Sequence, residues 1–587
     1  MYNRYRESVV NDDSSWHKGQ TWKKRRRVKA AIILAVVLVV LAIGLGVGLG
    51  VGLRKSSGGN QVHTQPVTFP TDSLDLSPNA LKTRGYFFTT SNDSDSQTLS
   101  WTAGGYIFKN YNANTSAADI IVNTSLPLQQ IDGFGGALTD SAAYTLLELK
   151  QGNESIYNRT LQALFNNRLG ISVLRVPLGG CDFSLSEYSF APNAPAGDIL
   201  ALALSTGNAT NALKSSNFSI AQAENYIIPV LRDILTLQPR LKIMFSPWSA
   251  PAWMKNTSSL AGGSLVNGFV PLAAQYYLQS IKAYVDAGIP AWSMTLQNEP
   301  NFATKYPSMI VDSATQSQMA ATIRGLLPRY NLSDLKIFAH DNNFALWQDA
   351  ADIVNLNISA IDGIAWHAYK GDPSMINNFR NNVSASAASL ETHMTEFTGT
   401  DNGSTSRWSS IQYWLQSIYF PMLSQFARSI EVWNIALDPN YGPHLPSAYC
   451  SNCVGALQVS TPQHFADPWV QIQPQYINIG HFSAAAADLT STGGGPAYRV
   501  LTIQQPNAPG SVANLSCITS QGFAAPLNGT KLGSSNAATT NTVFSRRVGL
   551  VLYNSCDSAQ NLTLGIDGRQ TSFQVQPGLY TLNWQAP

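Results

Sequence analysis

The sequence predicts an α/β chain: a closed (β/α)8 TIM barrel with an associated antiparallel β-sandwich, preceded by one N-terminal transmembrane helix. Three observations predict it. Through the middle of the chain, short apolar runs ending in polar or aromatic residues alternate with amphipathic stretches, the repeat that builds a parallel sheet. Beyond about residue 470 the helical period disappears and alternating segments bounded by Gly, Pro and Asn replace it. Near the start, residues 30–53 (AAIILAVVLVVLAIGLGVGLGVGL) carry no charge and are about long enough to cross a hydrocarbon core as a helix.

The apolar run directly follows KKRRRVK, residues 23–29, and only Arg54 and Lys55 come after it. The positive-inside rule then leaves a basic tail, residues 1–29, in the cytosol and sends the bulk of the chain to the lumen or the outside, as in a single-pass type II membrane protein. A cleaved secretory signal is the competing reading, but the run is longer than a signal core and starts late. Residues 54–79 form a flexible linker opening on SSGG. Residues 1–55 carry a net +8 of the +2 total, so the remaining chain is −6 and offers no basic field for nucleic acid. N-x-S/T acceptors such as Asn153, Asn256, Asn331 and Asn561 fit an outward-facing body that carries N-linked glycans.

Short strand-like pieces such as GYFFTT and YIFKNY occupy residues 80–125 and are expected to join the sandwich. The barrel is assigned to residues 126–470. Its strands are read from ISVLRVPLGG (171–180), LKIMFSPWSA (241–250), AWSMTLQNEP (291–300), LKIFAHDNN (335–343), IDGIAWHAYK (361–370), ASLETHMTEF (388–397) and IEVWNIALD (430–438). Helices are read from AENYIIPVLRDILTL and from AAQYYLQSIKAYVDAG, the latter stopping on Gly288. A doubly wound open sheet is the rival topology, but GFGGALTD (133–140) does not fit its phosphate-binding turn. A closed barrel gathers chemistry at the C-terminal ends of many strands, and nearly every run here ends in such residues.

Residues 471–587, with segments such as PAYRVLTIQQP and RRVGLVLYNSC, form the C-terminal β-sandwich. Five cysteines fit an oxidising compartment with two pairs and one spare. Cys517 and Cys556 sit in neighbouring strand-like segments, Cys450 and Cys453 make an isolated CxxC suited to a small loop-closing disulfide, and Cys181 is left over.

Two strand-end acids stand out. Glu299 closes MTLQNEP, where Pro300 takes the chain out of the sheet, and Glu396 closes HMTE. Their separation is about three βα units of roughly 30 residues each, which puts them at the ends of the fourth and seventh strands, across the barrel mouth. Carboxyls about 5 Å apart suit a retaining glycosidase, and about 6.5 to 9.5 Å an inverting one. Trp248, Trp253, Trp366, Tyr369, Phe397 and Trp433 are placed to offer flat apolar faces to pyranose rings. Asn298 can bond a ring hydroxyl, and Asp140, Arg175 and His367 can bond others or orient the carboxylates.

The stretches DGFGGALTDS, LRVPLGGCDFS, SPWSAPAWMK, QNEP, TEFTG, WNIALDPNYGP and INIGHFS resemble, in order, the motifs of glycoside hydrolase family 30. That resemblance covers about residues 120–587. It implies a (β/α)8 barrel fused to a β-sandwich and a retaining β-glycosidase with Glu299 as acid/base and Glu396 as nucleophile. It also assigns Asp140, Trp248, Asn298, His367, Tyr369 and Trp433 to the sugar site and requires no cofactor. Within the family the fungal endo-β-1,6-glucanases and the glucosylceramidases are nearest, and DPNYGPHLPSAYCSNCVGALQV is similar to the fungal form with its CxxC after the GP. Ala368 stands where glucosylceramidases carry an aromatic residue, and Phe397 where many fungal members have Cys. The expected activity is endo-β-1,6-glucanase on cell-wall-type β-glucan. Glucosylceramide hydrolysis is the first alternative, and a tethered carbohydrate-binding protein without turnover is the second.

Overall fold

The computed structural model describes residues 85–586, apart from 92–99, 105–108, 111–117, 166–170, 402, 404–405, 465–467, 487–495, 507, 509–510 and 527–545. The expected cytosolic tail, membrane helix and linker lie outside these residues. Among the described residues no helix is long and apolar enough to cross a membrane.

Eight parallel strands close into a barrel: β1 Gly133–Ala137, β2 Val173–Pro177, β3 Lys242–Ser246, β4 Ser293–Thr295, β5 Lys336–Asn343, β6 Gly363–His367, β7 Glu391–Glu396 and β8 Ala427–Asn434. Six of them lie within the apolar runs read from the sequence, and a seventh, β8, overlaps its run but starts three residues earlier. The eighth, β1, is GFGGA, whose glycines give no strand signal of their own. Packing demands them. A Cβ on Gly135 would lie 1.8 Å from the Val173 carbonyl oxygen, and one on Gly136 2.7 Å from Val432 Cγ2. β1 is thus pressed between β2 and β8, and its pairing of Ser429 with Gly133 through Val432 with Gly136 seals the barrel.

The connecting helices are set by local chemistry. Thr139 caps the helix Asp140–Gly152 by accepting from the Ala142 N–H, and Asp312 caps Ser313–Leu326 in the same way. The helix Val270–Asp286 ends as its sequence suggests, with Gly288 at φ 88° and the Ile289 N–H returning to the Tyr284 carbonyl. AENYIIPVLRDILTL, read as one helix, is two: Ala221–Asn225 and Ile227–Leu237. Pro229 lacks an N–H for the Asn225 carbonyl and its ring crowds that oxygen, so the first helix stops there.

Charged side chains gather at the barrel floor, where the strands begin. Asp132 pairs with Lys242 at 2.6 Å and Arg428 at 2.6 Å, while Glu391 takes Lys336 at 2.6 Å and also Arg428. His393 stands against Glu391 and Ser429. Asp132, Glu391 and His393 converge closely enough to suggest a metal site, a grouping not anticipated from sequence. Two lysines and an arginine already neutralise both acids. Burial works against the Asp132 charge, but Lys242 and Arg428 prevail and hold its pKa at about 2.

The second region is a ten-stranded sheet, mostly antiparallel, in the order Ser100–Gly104, Gly85–Ser91, Gly578–Ala586, Arg546–Asn554, Ile518–Pro526, Tyr498–Gln504, Ile120–Gln130, Gln560–Ile566, Arg569–Val575 and Lys109–Asn110. The expectation of a wholly antiparallel arrangement fails at one place, where Gln560–Ile566 runs parallel to Ile120–Gln130. Strands before the barrel do join strands after it. A separate core of Ile120, Val122, Val500, Leu550, Leu564, Phe573 and Trp584 fills this region. The helix Pro474–Ala485, which contains INIGHFS, joins the two parts. Phe482 meets Phe134 of β1 at 5.6 Å and Phe523 of the sheet at 6.4 Å, and Arg547 donates to the Ala484 carbonyl at the helix end. Cys450 is bonded to Cys453 and Cys517 to Cys556, while Cys181 is free and buried.

Gly135→Ala tests the seam. In an ordinary strand this change removes a flexible residue and stabilises. Here it should destabilise by about 3 kcal/mol or more through overpacking against Val173. A denaturant midpoint equal to or above wild type would mean that β1 has room to spare.

Candidate active site

At the mouth of the barrel, the side chain of Arg175 leaves β2 and is completely buried. It donates to Glu396 Oε2 at 2.5 Å, Asp341 Oδ2 at 2.8 Å, Asn298 Oδ1 at 2.6 Å and Ser246 Oγ at 3.1 Å. Its guanidinium lies 4.7 Å from the centroid of the Trp248 ring, which stacks on Trp433 at 5.2 Å. Burial works against its charge, but Asp341 and Glu396 more than compensate and raise its pKa.

Asp341, at the end of β5, is the anionic counterpart. Besides Arg175 it accepts from Ser246 of β3, Thr295 of β4, Thr395 of β7 and His367 Nε2 of β6. Burial opposes its charge, yet Arg175 and these donors hold its carboxyl well below the usual range. Strands β2 through β7 thus meet on one ion pair.

His367 carries the arrangement outward. Its Nε2 is 3.1 Å from Asp341, and its Nδ1 is 3.3 Å from Glu299 Oε1 and 4.0 Å from Glu396 Oε1. Both nitrogens face carboxyl oxygens, and as an imidazolium the ring donates to both. Burial works against that charge, but Glu396, Asp341 and Glu299 outweigh it and push the pKa up to about 9.

Glu396 ends β7. Tyr369 donates to its Oε1 at 2.9 Å while Arg175 holds Oε2. Burial pushes its carboxyl up from the usual range, with Glu299 and Asp341 adding to the effect, and His367 and Arg175 restrain it. Glu299 is held differently from the strand-end placement read in the sequence. Strand β4 stops at Thr295, and Glu299 stands beyond it with φ 42°, a left-handed conformation costly for a glutamate. Its N–H donates to the Asp341 carbonyl at 3.0 Å and its C=O accepts from Phe302 at 2.8 Å. These bonds hold the strained turn and aim the carboxyl at His367.

The remaining anticipated residues divide. Trp248 and Trp433 are buried in one cluster with Tyr306, and the Tyr369 ring is half exposed above its bonded hydroxyl. Asp140 stands at the start of the helix after β1 and gives its oxygens to Ser184 at 2.5 Å and Tyr188 at 3.1 Å, bracing the loop after β2. The aromatic wall is smaller than expected. Trp366 is wholly buried against Phe344 and Phe379, and Phe397 against Trp414 and Tyr419, so both fill the core. Trp253 donates to the Ala191 carbonyl and packs on Phe269.

Asp341 was not anticipated; the signal lay in the polar end of LKIFAHDNN. Asp182, inside LRVPLGGCDFS, was also missed. It is buried, one carboxylate oxygen lacks a protein partner, and burial together with Glu396 and Glu299 pushes its pKa to about 8. At neutral pH it is a neutral acid able to donate a hydrogen bond.

The family model of the glycosyl hydrolase family 30 TIM-barrel domain matches residues 131–485. The chain belongs to glycosyl hydrolase family 30. As a family 30 enzyme it is a retaining glycosidase, which uses one carboxylate as nucleophile and one as acid and then base. It is 27% identical over 352 residues to the endo-1,6-beta-D-glucanase neg1 of Aspergillus fumigatus, with 57% of this chain and 66% of that protein covered. To the lysosomal acid glucosylceramidase of Mus musculus it is 27% identical over 384 residues, covering 60% of this chain and 68% of that one. The chain thus spans about two thirds of the length of these relatives. The solved endo-beta1,6-glucanase BT3312 shares the fold, with a TM-score of 0.67 at 22% identity over 86% of this chain and 99% of that one.

The raised pKa of His367 fixes a pH dependence. A free imidazole titrates near 6.5, so the charge of His367 stabilises the fold fully below that pH, and the contribution is lost as pH rises through about 9. The stability gap between wild type and His367→Gln should therefore shrink by about 3 kcal/mol across that window. Parallel unfolding free energies across it would mean that the ring is neutral.

Proposed function

We propose that the chain is a membrane-anchored endo-β-1,6-glucanase in which Glu396 is the nucleophile and Glu299 the acid/base. One observation supports the pairing of these two carboxyls in a retaining reaction: Glu299 and Glu396 share the same His367 nitrogen. Distances of 3.3 and 4.0 Å to it cap the separation of those oxygens at about 7 Å. That cap admits the retaining spacing of about 5 to 5.5 Å and removes most of the inverting range.

Glu396 attacks the anomeric carbon while Glu299 gives its proton to the departing oxygen. The glycosyl–Glu396 ester then forms, and the charge of that carboxylate is consumed. Glu299, now ionised, takes a proton from water, which attacks the same carbon and releases Glu396. Arg175 and Tyr369 hold the nucleophile's two oxygens in place. His367 stands between both carboxyls as a fixed positive charge. Trp248, Trp433, Asn298 and Asp182 bind the sugar in this reading, and Asp140 supports the loop carrying Asp182.

The β-1,6-glucan substrate is supported by the similarity to the Aspergillus enzyme and by the GP–CxxC stretch, residues 442–453. The equal identity to the mouse glucosylceramidase supports a second reading, cleavage of glucosylceramide. Incubating the full chain with linear β-1,6-glucan and, separately, with glucosylceramide in detergent decides between them. Oligosaccharides are expected from the first. Ceramide release alone would transfer the assignment to the lipid. Glu396→Gln should lower turnover on the true substrate by at least roughly a thousandfold at unchanged melting temperature, and near-normal activity would remove Glu396 from its role.

Residues 30–53, behind KKRRRVK, are the proposed anchor, with the enzyme on the lumenal or outer face and N-linked glycans on its acceptor sites. Protease added to the cytosolic side of oriented vesicles should trim only the tail before residue 30. Digestion of the barrel from that side would reverse the topology.

A further inference from the structure

Two loops at the barrel mouth each leave one large apolar side chain in water. Phe302, three residues beyond Glu299, is 39% exposed, and Tyr449, in the loop after β8, is 84% exposed. Among the described residues of segments 300–312 and 438–456 they are the only large apolar side chains so exposed. They are not scattered. Their ring centroids are 6.3 Å apart at an interplanar angle of 89°, so the two rings make an open corner.

The corner is supported from below. The Phe302 N–H is bonded to the Glu299 carbonyl, and the neighbouring Tyr306 packs in the buried cluster with Trp248, Trp433, Leu445 and Cys453. Tyr449 adjoins Cys450, which the disulfide to Cys453 ties into the same cluster. Thus both loops are fixed on the residues that flank the reacting sugar. Three residues of chain reach no farther than about 10 Å, so Phe302 lies within a sugar or two of Glu299.

We infer that Phe302 and Tyr449 form a further sugar-binding position, which takes a neighbouring glucosyl unit of a β-linked chain. The inference rests on the reading of this enzyme as a glucan hydrolase. A pyranose has an apolar face and a polar edge, and perpendicular rings fit that shape, one stacking beneath the face while the other closes its side. A lipid chain needs a continuous apolar groove, and these loops offer a single corner instead. The corner gives the active site a grip on substrate length that the buried tryptophans alone cannot provide.

The test compares wild type with Phe302→Ala, Tyr449→Ala, Tyr449→Phe and the double alanine variant. Substrates are β-1,6-linked gluco-oligosaccharides of increasing length and β-glucosyl fluoride, whose single-atom leaving group occupies only the reacting position. For the double variant, kcat/KM on long oligosaccharides should fall about tenfold. The rate on β-glucosyl fluoride and the melting temperature should stay at wild-type values, and Tyr449→Phe, which keeps the ring, should retain the length dependence. An equal fall on every substrate, or no fall on any, overturns the corner while leaving the substrate reading intact. Wild-type enzyme that cleaves none of the oligosaccharides overturns the substrate reading itself, and the corner with it.

Discussion

The ion pair between Arg175 and Asp341 is the constraint on which the barrel mouth depends. A guanidinium and a carboxylate with no exposed side-chain surface would each be costly to bury alone. Together, with donors from β3, β4, β6 and β7, they satisfy one another. The pair also dictates what surrounds it. Arg175 has a further nitrogen to offer, which goes to Glu396, and the Asp341 backbone carbonyl receives Glu299. Both carboxyls of the proposed reaction are therefore held, one through a side chain and the other through its main chain, by the same two residues.

Much of this was legible in the sequence because a barrel puts its functional residues at predictable places. Apolar runs marked seven strands, and the spacing of the two glutamates pointed to the fourth and seventh, although Glu299 stands in a turn beyond β4 rather than at its end. What was hidden shares a physical cause. Strand β1 is glycine-rich because its neighbours approach too closely for side chains, and a glycine carries no hydrophobic period. Asp341 resembles any acid at the end of a strand until its five donors, spread along the chain, are brought together. The reverse error befell Trp366 and Phe397. An aromatic at a strand end faces either the mouth or the surrounding helices, and one residue of register decides which.

Charge is distributed by function over the barrel's two ends. At the floor, Asp132 and Glu391 are neutralised by Lys242, Lys336 and Arg428, a closed arrangement that fastens the starts of five strands. At the mouth, the carboxyl groups of Asp341, Glu396 and Glu299 face two cations, Arg175 and His367, and the proton that Glu299 gives up in the proposed reaction has no further cation waiting to replace it. The mouth also holds backbone strain, with Glu299, His340 and Asp341 all at positive φ. One end is finished electrostatically, and the other is held ready for a charge that develops during reaction.

The ten-stranded sheet bears on how the chain is made. Its strand Ile120–Gln130 leads into β1, and its partner Tyr498–Gln504 follows the barrel's last helix. On the ribosome, the first of these emerges with nothing to pair with until everything between Gln130 and Tyr498 has been synthesised. An unpaired strand edge is open to mispairing throughout that interval. The strand therefore stays without its partners through most of synthesis, until Tyr498–Gln504 and then Gln560–Ile566 cover its two edges.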